Sequence, residues 1–76
     1  MQKITLTELK NITLTYHEGI LLKFWGYRKP YFIFKCYDFY ESDLKETIKM
    51  NPYELNMILN IQLPNLEENE TYEIDV

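Results

Sequence analysis

Few side chains in this sequence are suited to covalent chemistry. The chain has one cysteine, Cys36, one histidine, His17, and one serine, Ser42. An intrachain disulfide, a Cys/His zinc site and a Ser-His-Asp triad are therefore not expected within one copy. His17 falls in a predicted hairpin loop, which is typical of an exposed turn residue. Cys36 alternates with phenylalanines on an apolar strand face, which is typical of a buried, unreactive thiol. The sequence predicts a protein that is not an enzyme and that has no metal ion or cofactor.

Side chains typical of binding surfaces are concentrated in residues 24–40, where nine of seventeen positions are aromatic. Tyrosine, tryptophan and arginine bring a large contact area with a polar end, and the centres of protein interfaces are enriched in them. For Phe24, Phe32 and Phe34 the simpler interpretation is the core of a small sheet. The residues expected to bind a protein partner here are Trp25, Tyr27, Arg28, Tyr31, Ile33 and Tyr37.

A second chemistry is open to the segment from Tyr27 to Tyr31, which reads Tyr-Arg-Lys-Pro-Tyr. Aromatic rings that stack on bases, beside Arg28 and Lys29 that neutralise phosphate, are the means by which single-strand nucleic-acid binders work. An ordinary solvated turn is the favoured interpretation of the segment, because no sequence motif of a nucleic-acid-binding family accompanies it. A formal charge of −4 also disfavours phosphate binding by the surface as a whole.

Charge is divided unevenly along the chain. Residues 1–37 carry six basic and two acidic side chains and residues 38–76 carry two basic and ten acidic ones, so the halves have charges of +4 and −8. Glu67, Glu68 and Glu70 are therefore a second candidate binding set, an array of carboxylates that mimics nucleic acid in a basic cleft. The alternative is a solvated acidic surface. Calcium binding is not expected, because the carboxylates lack the spacing and the loop glycine of an EF-hand.

The elements that position these residues are expected to form one α+β domain over residues 1–76. Alternating apolar residues predict strands over 3–8, 11–17, 20–26 and 31–38, with a short final strand near 71–75. Ser42 and Asn51 are candidate N-caps of two helices, over about 42–50 and 52–60. The expected fold is an antiparallel meander of three to five strands with the two short helices packed on one face. In the first segment, Thr5 and Glu8 leave a helical turn open as an alternative.

Strand register can be tested against the pattern of apolar residues. A three-residue loop that ends at Gly19 places Leu14 opposite Leu22 on one apolar face, and the next strand is expected to place Phe24 opposite Phe32. The other face of the sheet is then more apolar than a solvated face requires. Its residues are Leu21, Lys23, Trp25, Tyr31, Ile33, Lys35 and Tyr37. Two short helices cover one face only, so the second face is expected to bind a partner.

Composition suggests where such a protein would act. No signal peptide or membrane span is recognisable, so a cytoplasmic protein is expected. Residues with AT-rich codons dominate, and alanine is absent. In size, acidity and codon usage the chain resembles the small inhibitors that phages of low-GC bacteria direct at host nucleases and defence proteins. That resemblance implies steric occlusion of a host protein, or acidic mimicry of nucleic acid. The alternatives are a single-stranded nucleic-acid-binding protein and a structural homodimer whose apolar faces meet.

Overall fold

The computed structural model describes residues 1–16, 19–38, 44–63 and 66–76. The order of elements is β1 (Gln2–Thr5), α1 (Leu6–Lys10), β2 (Thr13–Tyr16), β3 (Ile20–Arg28), β4 (Tyr31–Tyr37), β5 (Leu44–Met50), α2 (Pro52–Gln62) and β6 (Tyr72–Asp75). Strands β2 to β5 form an antiparallel sheet in chain order, and β1 pairs with β6 in a small parallel sheet. The α+β class with an antiparallel meander and two helices is confirmed. None of the helices in these ranges is long and apolar enough to cross a membrane.

The first predicted strand, over 3–8, is interrupted by a helix. Strand β1 ends at Thr5, whose hydroxyl oxygen accepts a hydrogen bond from the backbone N–H of Glu8 at 3.1 Å. The same hydroxyl donates to the Glu8 carboxylate at 3.2 Å. This is N-capping of α1, and it buries Leu9 completely. Of the two interpretations of this segment, the helical turn is the one that forms after Thr5.

The helix predicted over 42–50 is wrong, because residues 44–50 form strand β5. The proposed cap, Ser42, lies outside the described residues. Strand β5 pairs with β4, and places Ile48 opposite Phe34 and Met50 opposite Phe32. Leu44 and Ile48 are four positions apart, a spacing that fits a helix as well as a strand, and pairing with the otherwise free edge of β4 decides between them.

The second predicted helix is confirmed and runs two residues further than expected, to Gln62. The Asn51 side chain accepts a hydrogen bond from the Glu54 N–H at 2.8 Å, and Pro52 occupies the first helical position, where no N–H is required. Leu55 and Leu59 are fully buried against the sheet. Helix α2 is therefore the main cover of the four-stranded sheet.

Two side-chain amides of α2 bind strand backbones on either side of the helix. Gln62 accepts a hydrogen bond from the Thr15 N–H at 2.8 Å, and its Nε2 donates to the Thr15 carbonyl. Asn60 accepts from the Tyr72 N–H at 2.6 Å and donates to the Tyr72 carbonyl at 3.4 Å. The helix is thereby connected by paired hydrogen bonds to β2 and to β6.

The predicted hairpin between β2 and β3 has the expected register. Tyr16 lies opposite Ile20 and Leu14 opposite Leu22, and Gly19 has a φ of 88°, the left-handed conformation that a glycine adopts at low cost. The ladder begins at Thr13, one residue short of the predicted pairing of Ile12 with Phe24. His17 and Glu18 lie outside the described residues.

The predicted register between β3 and β4 is wrong by two residues. Phe24 lies opposite Phe34 instead of Phe32, because β3 continues to Arg28 and the turn is shorter than the sequence suggested. A shift of two residues keeps every side chain on its predicted face. Trp25 is left without a register partner, as the extra residue of a β-bulge, so that Tyr27 comes to lie opposite Phe32.

Candidate partner-binding surface

The four-stranded sheet has a core face and an open face. The core face carries Leu22, Phe24, Phe32, Phe34 and Cys36, each no more than 9% exposed. Both described helices contribute buried leucines to the same core. The open face is the opposite side, and we define it by Leu21, Lys23, Trp25, Tyr31, Ile33, Lys35, Tyr37 and Lys49, which alternate with the core residues along β3, β4 and β5.

Two aromatic side chains of the open face are exposed. Trp25 is 52% exposed and Tyr31 is 39% exposed. Ile33 and Tyr37 are half-buried by their neighbours on the same face. A Cβ added at Gly26 would meet no atom within 4 Å outside the adjacent residues, so the sheet surface at this glycine is open. The open face therefore presents aromatic area to solvent at Trp25 and Tyr31.

Each of three aromatic rings on the open face has a lysine ammonium group over it. The Nζ-to-centroid distance is 4.8 Å from Lys49 to Tyr31, 5.3 Å from Lys35 to Trp25 and 5.6 Å from Lys23 to Tyr37. All three lie within the range of a cation–π interaction, which at exposed sites contributes about 0.5–1 kcal/mol. The lysines thus partly screen the rings from water, with contacts weak enough to be exchanged for others.

The open face is also positively charged. The only carboxylate within strands β2 to β5 is Glu46, and its register partner is Cys36 of the core face. Lys23 and Lys35 lie directly opposite each other, and Lys49 pairs with Ile33. Like charges directly opposite each other in a sheet repel, so the charges of Lys23 and Lys35 do not stabilise the pairing of β3 with β4. A ligand with negative charge would relieve that repulsion.

The structure separates the residues that the sequence grouped around the hairpin tip. Tyr31 and its register partner Arg28 lie on the side of the open face. Tyr27 faces the core, where its ring centroid is 4.8 Å from that of Phe32. Lys29 is exposed in the turn between the strands. The bulge at Trp25 is the cause, because one extra residue reverses the alternation beyond it.

The acidic candidates lie in a different part of the molecule. Glu67 and Glu68 are exposed and Glu70 is half-buried, in a turn closed by a hydrogen bond of 3.1 Å from the Glu70 N–H to the Glu67 carbonyl. Asn69 has a φ of 70° in this turn, a conformation that asparagine tolerates better than most residues. The turn leads into β6, which packs on α2, so these carboxylates belong to the helix side of the sheet.

Cys36 is the group with reactive potential that the structure describes, since His17 and Ser42 lie outside the described residues. Burial raises the pKa of the Cys36 thiol, and the Glu46 carboxylate on the neighbouring strand raises it further, so the unreactive thiol form is favoured. In the ranges 1–16, 19–38, 44–63 and 66–76, no three side chains of His, Cys, Asp or Glu converge to hold a metal ion.

One residue of the open face, Lys49, could not be placed there from the sequence. Lys49 was assigned to a helix, and only its place on β5 brings it over Tyr31. The alternation of Thr47 and Lys49 with Ile48 and Met50 is the sequence pattern that indicates a strand here.

Comparison of the chain with protein-family models, with curated proteins and with solved structures finds no match.

Proposed function

We propose that this protein is a non-enzymatic module that binds another protein through its open face. The supporting observation is the exposure of Trp25 and Tyr31 on a sheet face over which no described helix packs. Aromatic side chains of this kind dominate binding energy when they become buried at the centre of an interface. Lys23, Lys35 and Lys49 would then exchange their ring contacts for carboxylates of the partner.

Trp25 offers a direct test, because it is the only tryptophan in the chain. Immobilised protein is used to capture partners from a low-GC bacterial lysate, in parallel with Trp25→Ala and with Trp25→Phe as the conservative variant. We expect Trp25→Ala to abolish capture and Trp25→Phe to retain part of it, with unchanged far-ultraviolet circular dichroism for both. With a captured partner, the indole emission should shift to shorter wavelength. Undiminished capture by Trp25→Ala would contradict the proposal.

Size, acidity and codon usage favour a host nuclease or defence protein as the partner, with steric occlusion as the mechanism. Acidic mimicry of nucleic acid would instead use Glu67 and Glu68, on the other side of the molecule. The double variant Glu67→Lys, Glu68→Lys separates the two mechanisms, because occlusion by the open face should survive it. Loss of capture in this variant but not in Trp25→Ala would favour mimicry.

A single-stranded nucleic acid is the second candidate ligand, and the charge of the open face favours it. Three lysines beside three aromatic rings, with no carboxylate among them, match the combination used by single-strand binders. The probe is a fluorescein-labelled oligothymidylate of about 12 nucleotides, a length of the order that small single-strand binders cover.

If this candidate holds, its affinity should fall steeply between low and moderate salt and weaken on Lys35→Gln. No binding at low salt would eliminate it. Protein capture that persists after nuclease treatment of the lysate would favour the protein partner.

A further inference from the structure

Strands β2 and β5 lie at the two ends of the four-stranded sheet, and their outer edges differ. At β2, the Gln62 side chain occupies the N–H and C=O groups of Thr15. At β5, no described residue outside β4 makes a hydrogen bond to residues 46–49. Alternate residues of an edge strand direct their N–H and C=O groups away from the sheet, so the edge of β5 is available to a further strand.

The charged side chain of Lys49 does not shield this edge. Proteins often protect an edge strand with a lysine that projects into solvent. The Nζ atom of Lys49 instead lies 4.8 Å from the ring centroid of Tyr31, a residue of β4. Its ammonium group is therefore placed over the sheet and not across the outer edge of β5.

A groove of about 550 Å³ lies between β5 and α2, on the core-face side of the sheet. Its apolar lining residues are Ile48, Met50, Met57 and Ile58. Helix α2 begins beside β5, directly after Asn51, and ends at β2, where Gln62 binds Thr15, so the helix diverges from β5 and leaves this space. Lys49 also lines the groove although its ammonium group lies over the open face, which indicates that the groove extends to the backbone of the edge.

The two sides of β5 differ in charge. The core-face side has the exposed carboxylates of Glu46, opposite Cys36, and of Glu54 at the groove. On the open-face side, Lys49 adds to the positive charge of Lys23 and Lys35. Side chains of an added strand alternate between the same two sides. Apolar residues on its groove side and acidic residues on its open-face side would complement both, since opposite charges on neighbouring strands attract.

We propose that β5 binds an extended segment of a partner protein as a fifth strand of the sheet, with alternate apolar side chains in the groove and alternate acidic side chains beside Lys49. In strand addition of this kind, main-chain hydrogen bonds provide affinity and pockets for alternate side chains provide specificity. A second copy of β5 fits less well, because its own Lys49 would add positive charge to the row of lysines instead of neutralising it.

The length of the groove sets how many side chains it receives. From Glu54 to Gln62 the helix rises about 12 Å. Alternate residues of a strand are separated by about 6.6 Å, so the groove accommodates about two side chains of the added strand. The contact does not involve the Trp25 indole, so it extends beyond the binding proposed for the open face.

A synthetic peptide tests the alternation. The probe is a fluorescein-labelled, end-capped peptide of seven residues in which isoleucine alternates with glutamate, and fluorescence anisotropy is measured with the full chain at up to about 1 mM, to cover weak binding. We expect saturable binding. A peptide of the same composition with isoleucines and glutamates in blocks, and one with lysine in place of glutamate, should each bind at least about tenfold more weakly. No binding of the alternating peptide, or equal binding of all three, would overturn the proposal.

N-methylation of the peptide tests the main-chain pairing. In an extended strand the N–H groups of the isoleucines point to one edge and those of the glutamates to the other, and a methyl group removes the donor. One of the two N-methylated versions should therefore lose at least about tenfold in affinity, and the other should bind nearly as well as the parent peptide. Alternate amides within residues 46–50 should also exchange more slowly with solvent deuterium. Equal affinity of both methylated versions would show that the contact is not strand pairing.

Variants of α2 locate the peptide. Met57→Glu places a carboxylate in the groove and should weaken binding at least about tenfold, whereas Tyr53→Glu, on the same helix but outside the groove, is the matched control and should not. Trp25→Ala should bind the peptide as wild type does, which separates failure of this proposal from failure of the open face. Undiminished binding by Met57→Glu would contradict the groove. A wild-type chain that dimerises in sedimentation equilibrium and excludes the peptide would assign the edge to a second copy and overturn the proposal.

Discussion

The two faces of the four-stranded sheet are built from alternate residues of the same strands, yet one is closed and the other is open. In β4, Phe32 and Phe34 are at most 1% exposed, whereas Tyr31 is 39% exposed. Both faces carry aromatic rings, so aromatic content alone does not distinguish them. The difference lies in the cover: the phenylalanines pack against helix leucines, and the rings of the open face contact lysine ammonium groups. A cover of mobile charged side chains can be displaced by a partner without unfolding the domain.

The comparison is tested most severely by truncating one aromatic residue of β4 on each face. Phe34→Ala should lower the free energy of unfolding by about 3–5 kcal/mol, because it leaves a cavity in the core. Tyr31→Ala should cost less than about 1 kcal/mol, since the ring is partly in water already. Urea unfolding followed by circular dichroism measures both. Equal losses would show that the open face is part of the structural core.

Removal of the amide that joins α2 to β2 should have an intermediate effect. Gln62→Ala leaves the N–H and C=O of Thr15 without that partner, and we expect a loss of about 1–2 kcal/mol in the free energy of unfolding. Gln62→Glu is the matched variant, because it keeps the acceptor and removes the donor. It should fall between alanine and wild type in the same urea titration. A Gln62→Ala variant as stable as wild type would mean that water replaces the amide fully.

The free energy of unfolding should depend on pH through the thiol of Cys36 on the core face. The pKa of Cys36 is raised above its ordinary value of 9.0 by burial and by Glu46, so the folded protein holds the thiol proton more tightly than the unfolded chain does. This contribution to stability is complete below pH 9.0 and is lost as the pH rises through the folded-state pKa. Between pH 7 and pH 10 the wild type should therefore lose more stability than Cys36→Ala does. Equal losses would indicate that the thiol ionises freely in the fold.

The smallest effect is expected from the lysines of the open face. Lys23→Met and Lys35→Met each remove one cation–π contact and also relieve the repulsion between the two ammonium groups, so stability should change by no more than about 0.5 kcal/mol. Thermal unfolding by circular dichroism measures this change. A larger loss in either variant would mean that the lysine cover is structural.

The sequence was sufficient where short-range chemistry decides the structure. Asn51, Pro52 and Glu54 predict the start of α2 through capping alone, and Gly19 predicts the turn that sets the register of β2 against β3. The separation of the two faces of β3 and β4 also followed from alternation. That part of the candidate surface could be predicted because a register error of two residues does not change the face.

Long-range effects decide what the sequence did not reveal. Leu44 and Ile48 fit a helical stripe until the edge of β4 is known to need a partner, and the lysine over Tyr31 was missed for the same reason. The bulge at Trp25, which turns Tyr27 inward, has no local sequence signal beyond the adjacent Gly26. The bonds of Asn60 to Tyr72 depend on where β6 lies, which no residue pattern near Asn60 indicates.

The bonds between Gln62 and Thr15 have a consequence for how the molecule meets other chains. Strand β2 lies at one end of the sheet, and unpaired strands at such positions recruit strands from other molecules and seed aggregation. At Thr15 the outward N–H and C=O groups are already bound by a side chain that cannot extend the ladder. An incoming strand would have to displace the end of a helix whose leucines are fully buried. A single glutamine therefore obstructs the addition of a further strand at Thr15 of β2.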